Sequence, residues 1–119
     1  MIPTEIANFF IAMQAGQTAR AEMEACFAPT AIYEEPFSGE MRRHEGRAAV
    51  MAAMDAGWAN PLPEMRLVID KVSTDGGQVQ VDWTCLSPAL PGGQGQGHNH
   101  FDVEAGQITR LVTTMKGPQ

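Results

Sequence analysis

Glu34 and Glu35 stand side by side before Pro36, and paired carboxylates are common equipment for acid–base chemistry. Their spacing argues against a pair. Residues 31–35 read as a strand closed by the proline, and successive side chains of a strand point to opposite faces. Tyr33 and Glu35 therefore share one face and Glu34 takes the other. On an inner face Glu35 is a carboxylate in apolar surroundings, where desolvation raises the pKa and allows proton exchange near neutral pH. The alternative is a strand-end glutamate in water.

Asn99 alternates in step with Phe101 and Val103, which places its amide on their apolar face, unless it caps a turn at the strand start. His98, His100 and Asp102 then face outward. Two histidines two residues apart occur in metal sites, but no third ligand is patterned nearby, and no metal is expected. Arg42, Arg43 and Arg47 with His44 form the one basic cluster, suited to a ligand carboxylate or phosphate if it is not a solvated loop. The glycine-rich run 92–97 lacks the strand-to-helix setting and the Lys-Ser/Thr of a phosphate-binding loop. It reads as a mobile hairpin loop, a candidate lid. No cofactor motif is present and no cofactor is expected. Gly-x-Ser-x-Gly and His-Glu-x-x-His are both absent, so serine-hydrolase and zinc-protease chemistry have no support. Tyr33 and Trp58 are candidate ligand-lining residues, the first for sharing the Glu35 face and the second for ending a helix at a rim.

The elements that must position these residues follow from periodicity. Ile6, Phe9, Phe10 and Met13 are spaced for one face of a helix over 5–15, stopped by Gly16. Thr18 is placed to cap a second helix through Met23, Cys26 and Phe27, ended by Ala28-Pro29. After the strand at 31–35, residues 37–45 read as a loop with room for a short strand near Met41. Val50, Met54, Gly57 and Trp58 mark a third helix from Arg47, broken at Asn60-Pro61. The period then switches to two. Met65-Leu67-Ile69 and Val79-Val81-Trp83-Cys85 flank the turn Asp75-Gly76-Gly77, residues 87–97 read as non-strand, and 98–104 and 107–115 flank Ala105-Gly106. Helices first and an antiparallel meander afterwards make an α+β fold.

Several stretches together resemble one family. Phe27-Ala28-Pro29-Thr30-Ala31 leading to Tyr33-Glu34-Glu35-Pro36, then His44-Glu45-Gly46-Arg47-Ala48-Ala49-Val50, then Phe101-Asp102-Val103-Glu104-Ala105-Gly106-Gln107-Ile108, are similar to the SnoaL-like branch of the nuclear transport factor 2-like superfamily. The resemblance spans nearly the whole chain and implies a cone-shaped α+β barrel, with three helices from the first half packed in a curved, mainly antiparallel sheet. It implies an activity of the ketosteroid isomerase or polyketide cyclase kind, an isomerase or lyase working by proton transfer on a hydrophobic carbonyl compound. Members without catalysis keep open a dimeric ligand-binding or protein-interaction module. In the isomerase branch the acidic residue before the proline is the general base, which puts Glu35 in that role. The oxyanion-stabilising Tyr and Asp of that branch align with Phe9 and Asn99, so Asn99 is the remaining polarising group and Phe9 a lining or core residue. An epoxide-hydrolase-like or dehydratase activity would need Asp70, Asp82 and Arg110 to converge.

Composition bounds the partners. With 119 residues the chain fits one domain, residues 1–119, and 44% hydrophobic content is enough for a core. Eight basic against 14 acidic residues give −6, which disfavours nucleic acid. No apolar run is long enough for a membrane span, and a cytoplasmic location is expected. Cys26 and Cys85 are expected to be buried thiols. The expected partners are a hydrophobic small molecule and a second copy of the chain, because an outward Trp83 or Val112 on a curved sheet would leave an apolar patch in water.

Overall fold

Ile6, Phe9, Phe10 and Ala12 form the buried stripe of the first helix, α1 (Thr4–Ala15), in the computed structural model, which describes residues 2–116. Gly16, at φ 83°, ends it, because a positive φ is accessible to glycine and strained for a side-chain-bearing residue. A 3-10 turn (Gly16–Ala19) leads to a short α2 (Arg20–Ala25). Thr18 does not cap it: its hydroxyl donates backward to the Ala15 carbonyl. Phe27-Ala28-Pro29, expected to close this helix, instead opens strand β1 (Phe27–Glu35). Pairing decides the matter, because Ile108 N–H donates to the Cys26 carbonyl and Phe27 aligns with Ile108. Pro29 falls within a register irregularity between Phe27 and Ile32, where the ladder is already interrupted.

A short β2 (Arg42–Glu45) folds back on β1, and α3 (Arg47–Ala59) follows with Val50, Met51 and Met54 buried. Gly57, expected on that stripe, is exposed, and Trp58 is half-buried. Strands β3 (Arg66–Asp75), β4 (Gln78–Leu86), β5 (Gln94–Glu104) and β6 (Gln107–Met115) then form a meander. The sheet order is β2-β1-β6-β5-β4-β3, antiparallel except for the β1–β6 pair, with β2 and β3 as unpaired edges. One curved, unclosed sheet thus covers the helices, the cone-like α+β architecture expected of the sequence.

The core lies between the helices and the sheet's concave face, which carries Val79, Val81, Trp83 and Cys85 of β4, Phe101 of β5 and Leu111 of β6. Phe9 is at its centre, edge-on to Phe10, Phe27 and Phe101, with centroids 5.1, 6.1 and 5.3 Å away. On the edge strand β3, Ile69 lies opposite the inward Trp83 but stays exposed, and an irregularity between Ile69 and Lys71 shifts the alternation by one residue, so that Val72, opposite Val81, packs on the core. Trp83 is buried and faces inward, which removes it from the outward apolar patch on which the expectation of a dimer rested. The opposite face carries polar pairs instead: His98 beside Asp82, His100 beside Asp102, and the ion pair of Arg110 with Glu34. Both cysteines are free and buried. Among the described residues, no helix is long and apolar enough to cross a membrane.

The largest difference from the sequence reading is at residues 94–97, which form the first part of β5 rather than a lid. They pair with Leu86, Cys85, Thr84 and Trp83 of β4, leaving residues 87–93, with a 3-10 turn at Pro91–Gly93, as the connection. One of the two glycines there serves packing. A Cβ on Gly97 would clash with the Trp83 ring, so the indole lies over that position because nothing projects from it. At Gly95 a Cβ would meet only ordinary contacts at 3.8 Å. Gly97→Ala is expected to lose about 1–3 kcal/mol through overpacking, and Gly95→Ala to stay close to wild type. Urea midpoints of the two variants check this pair of outcomes.

Candidate functional site

Register brings the polar residues of the concave face together. Tyr33 aligns with His44 and Glu35 with Arg42 across the β1–β2 pair, so all four side chains share one face at the sheet edge. Glu35 is 2% exposed. Its Oε1 accepts from the Phe37 backbone N–H at 2.8 Å, and its Oε2 accepts from Arg42 Nε at 3.0 Å and Nη2 at 2.9 Å. His44 Nε2 lies 2.9 Å from the same Oε2. The turn after Pro36 supplies the first donor and the returning strand the other two residues, so the short β2 hairpin encloses the carboxylate.

These partners reverse the expected titration. Burial pushes the Glu35 carboxyl up, as anticipated, but the hydrogen bond from His44, the Phe37 N–H and the charge of Arg42 together outweigh it and hold the group below its ordinary value of 4.5. Glu35 is therefore a buried ion at neutral pH, with both oxygens engaged. Tyr33 moves the other way: burial and then the Glu35 charge push its phenol up, so it remains a proton donor throughout the physiological range. The Tyr33 and His44 rings lie against each other, centroids 5.7 Å apart and tilted by 33°.

Asn99 is 4% exposed and faces inward with Phe101, as its parity predicts. Its Oδ1 accepts from Trp83 Nε1 at 3.1 Å and from Thr113 Oγ1 at 2.8 Å. Because an indole N–H can only donate, the oxygen must be the atom facing Trp83, which leaves the amide NH2 as the spare donor. Thr113 also faces the Tyr33 phenol. A polar strip therefore runs across the concave wall from Glu35 and His44 through Tyr33 and Thr113 to Asn99 and Trp83.

The remaining candidates lie apart from that strip. Phe9 belongs to the aromatic core. Trp58, with Met13, Gln14, Pro61, Leu62 and Met65, lines a cavity of about 310 Å³ at the ends of α1 and α3; a smaller one of about 170 Å³ lies beside Thr4, Glu22 and Cys26. Neither is lined by Glu35, Tyr33 or Asn99. Asp70 bonds Thr84, Asp82 bonds His98 and Lys116, and Arg110 bonds Glu34, so the three do not converge as an epoxide-hydrolase-like site requires. Arg43 pairs with Glu34 and Glu45 on the outer face, which divides the basic cluster. Among the described residues no three potential ligands gather around a metal position. His44 is the residue that sequence reasoning left inside a loop. Its signal was the alternation Arg42-Arg43-His44, read against a β1 partner that only the fold reveals.

The depressed Glu35 pKa carries a stability consequence. A carboxylate held below its unfolded value adds its full contribution above about 4.5 and loses it as the pH falls through the lower folded value. Glu35→Gln is expected to cost about 1–3 kcal/mol at pH 7, with the gap to wild type closing on acidification below that range. Urea unfolding of both proteins from pH 7 to pH 3 gives the curve.

The comparisons with solved structures reach the same fold. A candidate polyketide cyclase from Sinorhizobium meliloti superposes with a TM-score of 0.77 at 23% identity, covering 95% of each chain. A candidate ketosteroid isomerase from Kribbella flavida gives 0.76 at 17%, over 97% of this chain and 77% of that one. A protein with a ketosteroid isomerase-like fold from Catenulispora acidiphila, in complex with trimethylamine, gives 0.76 at 14%, over 96% and 86%. At these identities the likeness speaks for the fold alone. No curated protein matches the sequence. The sequence profile of the SnoaL-like domain matches residues 6–111, and with that span of the chain covered the protein belongs to the SnoaL-like domain family.

Proposed function

We propose that this protein is a small-molecule enzyme that moves a proton beside a carbonyl group of a hydrophobic substrate, an isomerase, lyase or cyclase activity, at the wall formed by Glu35, Tyr33 and Asn99. One observation carries the reading: a carboxylate almost wholly withdrawn from water, hydrogen-bonded to an imidazole and paired with the Arg42 guanidinium, at the edge of a largely apolar wall. Burying a charge is costly unless it is paired, and such groups concentrate at sites of chemistry. Across the wall, the Asn99 NH2 and the Tyr33 hydroxyl are the donors available to a developing oxyanion. The names of the polyketide cyclase and ketosteroid isomerase relatives agree with such an activity. No cofactor is invoked, because proton transfer next to a carbonyl needs only a base, an acid and an oxyanion donor.

A second reading is a non-catalytic dimeric binding module. It is favoured by one feature, that both Glu35 oxygens are already engaged within the chain. On this reading the carboxylate only clamps β2 and the turn after Pro36 to β1.

Thermal shift against hydrophobic ketones, lactones and aromatic polyketide-like compounds separates the two. A ligand at 100 times its Kd adds about 2.7 kcal/mol. One carbonyl class is expected to raise the wild-type Tm, with a smaller shift in Glu35→Gln and in Asn99→Leu. Equal shifts in all three proteins, or none in any, would remove the enzyme reading. A dimer by light scattering together with unaltered binding in Glu35→Gln would favour the module.

A further inference from the structure

We propose that His44 Nδ1 is the basic atom of this site, with Glu35 acting on it as a positioning residue. The inference rests on the proton-transfer reading above and deepens it. The ionised Glu35 carboxylate can only accept hydrogen bonds, so the ring nitrogen 2.9 Å from its Oε2 must carry the proton. That nitrogen is Nε2. A neutral His44 therefore keeps its proton on Nε2 and presents the lone pair on Nδ1. Among the described residues Nδ1 has no hydrogen-bond partner, and it is not enclosed, because the one buried and unpartnered side-chain polar atom is Trp58 Nε1.

Three constraints hold the ring in place. Glu35 Oε2 fixes one edge, Tyr33 packs against one face, and the β1–β2 register fixes the Cα position opposite Tyr33. Arg42 bonds the same Oε2, so the carboxylate is committed to its charged form and does not take the proton itself. This division of labour also resolves why the acid at the family position is a poor base here: its partners lower its proton affinity, while the same contact leaves Nδ1 of the imidazole available and raises the cost of turning the ring.

The step balances without a co-reactant. Nδ1 takes a proton from the carbon next to the substrate carbonyl; the C–H electron pair becomes the enolate π bond, and the carbonyl oxygen takes the negative charge. Glu35 stabilises the resulting imidazolium, which then returns the proton to carbon or, in an elimination, to the leaving group.

Two readouts on the whole protein test this. Long-range 1H–15N NMR reports the His44 tautomer with no substrate present, and α-proton exchange of 2-tetralone in D2O, followed by 1H NMR, reports the chemistry. Wild type is expected to hold His44 as the Nε2–H tautomer and to accelerate exchange. His44→Gln is expected to lose about 10²-fold or more of that acceleration while keeping its fold by circular dichroism, and Glu35→Gln to lose part of it together with the tautomer preference. His44→Asn serves if the Gln variant does not fold. An Nδ1–H tautomer in wild type would overturn the assignment. So would a His44 variant that exchanges like wild type while Glu35→Gln abolishes exchange, an outcome that returns the base to Glu35 and leaves the enzyme reading standing. No acceleration by wild type would remove both.

Discussion

The site depends on one electrostatic requirement: a carboxylate carried into the protein on β1 must find enough donors to remain there. Glu35 finds a backbone N–H from the turn that follows it, a guanidinium and an imidazole from the strand that returns. Removing any one of these leaves charge exposed to an apolar wall. The four-residue β2, too short to contribute much as a strand, therefore has a reason to exist. It carries Arg42 and His44 to their places, and Gly46, whose N–H donates to the Ala31 carbonyl, turns the chain from it into α3.

A second requirement operates at the other side of the wall, where large and absent side chains are matched. The Trp83 indole lies over Gly97 and its N–H ends on Asn99, so a tryptophan, a glycine and an amide on adjacent strands define one another. Thr113 completes the oxygen's hydrogen bonds and turns its hydroxyl side toward Tyr33. Tryptophan orientation thus decides which end of the Asn99 amide is free. The polarising capacity proposed for that residue follows from a packing arrangement two positions away in the chain.

Period-two and helical patterns made much of this legible in advance. The parity of Tyr33 with Glu35 and of Asn99 with Phe101 is a property of extended backbone and survives into the fold, as does the buried stripe of α1. Long-range pairing was not legible. Phe27-Ala28-Pro29 has the local character of a helix end and becomes strand because β6 pairs with it; 94–97 has the composition of a loop and becomes strand because it pairs with β4, with the Trp83 ring filling the space that Gly97 leaves. His44 was missed for the same reason, since its partner Glu35 lies nine residues away across a hairpin. The direction of the Glu35 pKa was likewise set by neighbours that burial alone does not reveal.

The state of Glu35 is the hinge of the account, and the carboxyl 13C chemical shift of that residue, followed through a pH titration, addresses it most directly. A midpoint below the ordinary 4.5 is predicted, with the carboxylate ionised at neutral pH. A midpoint near neutrality would contradict it, because Glu35 would then hold and release the proton itself and His44 would have no part in the transfer.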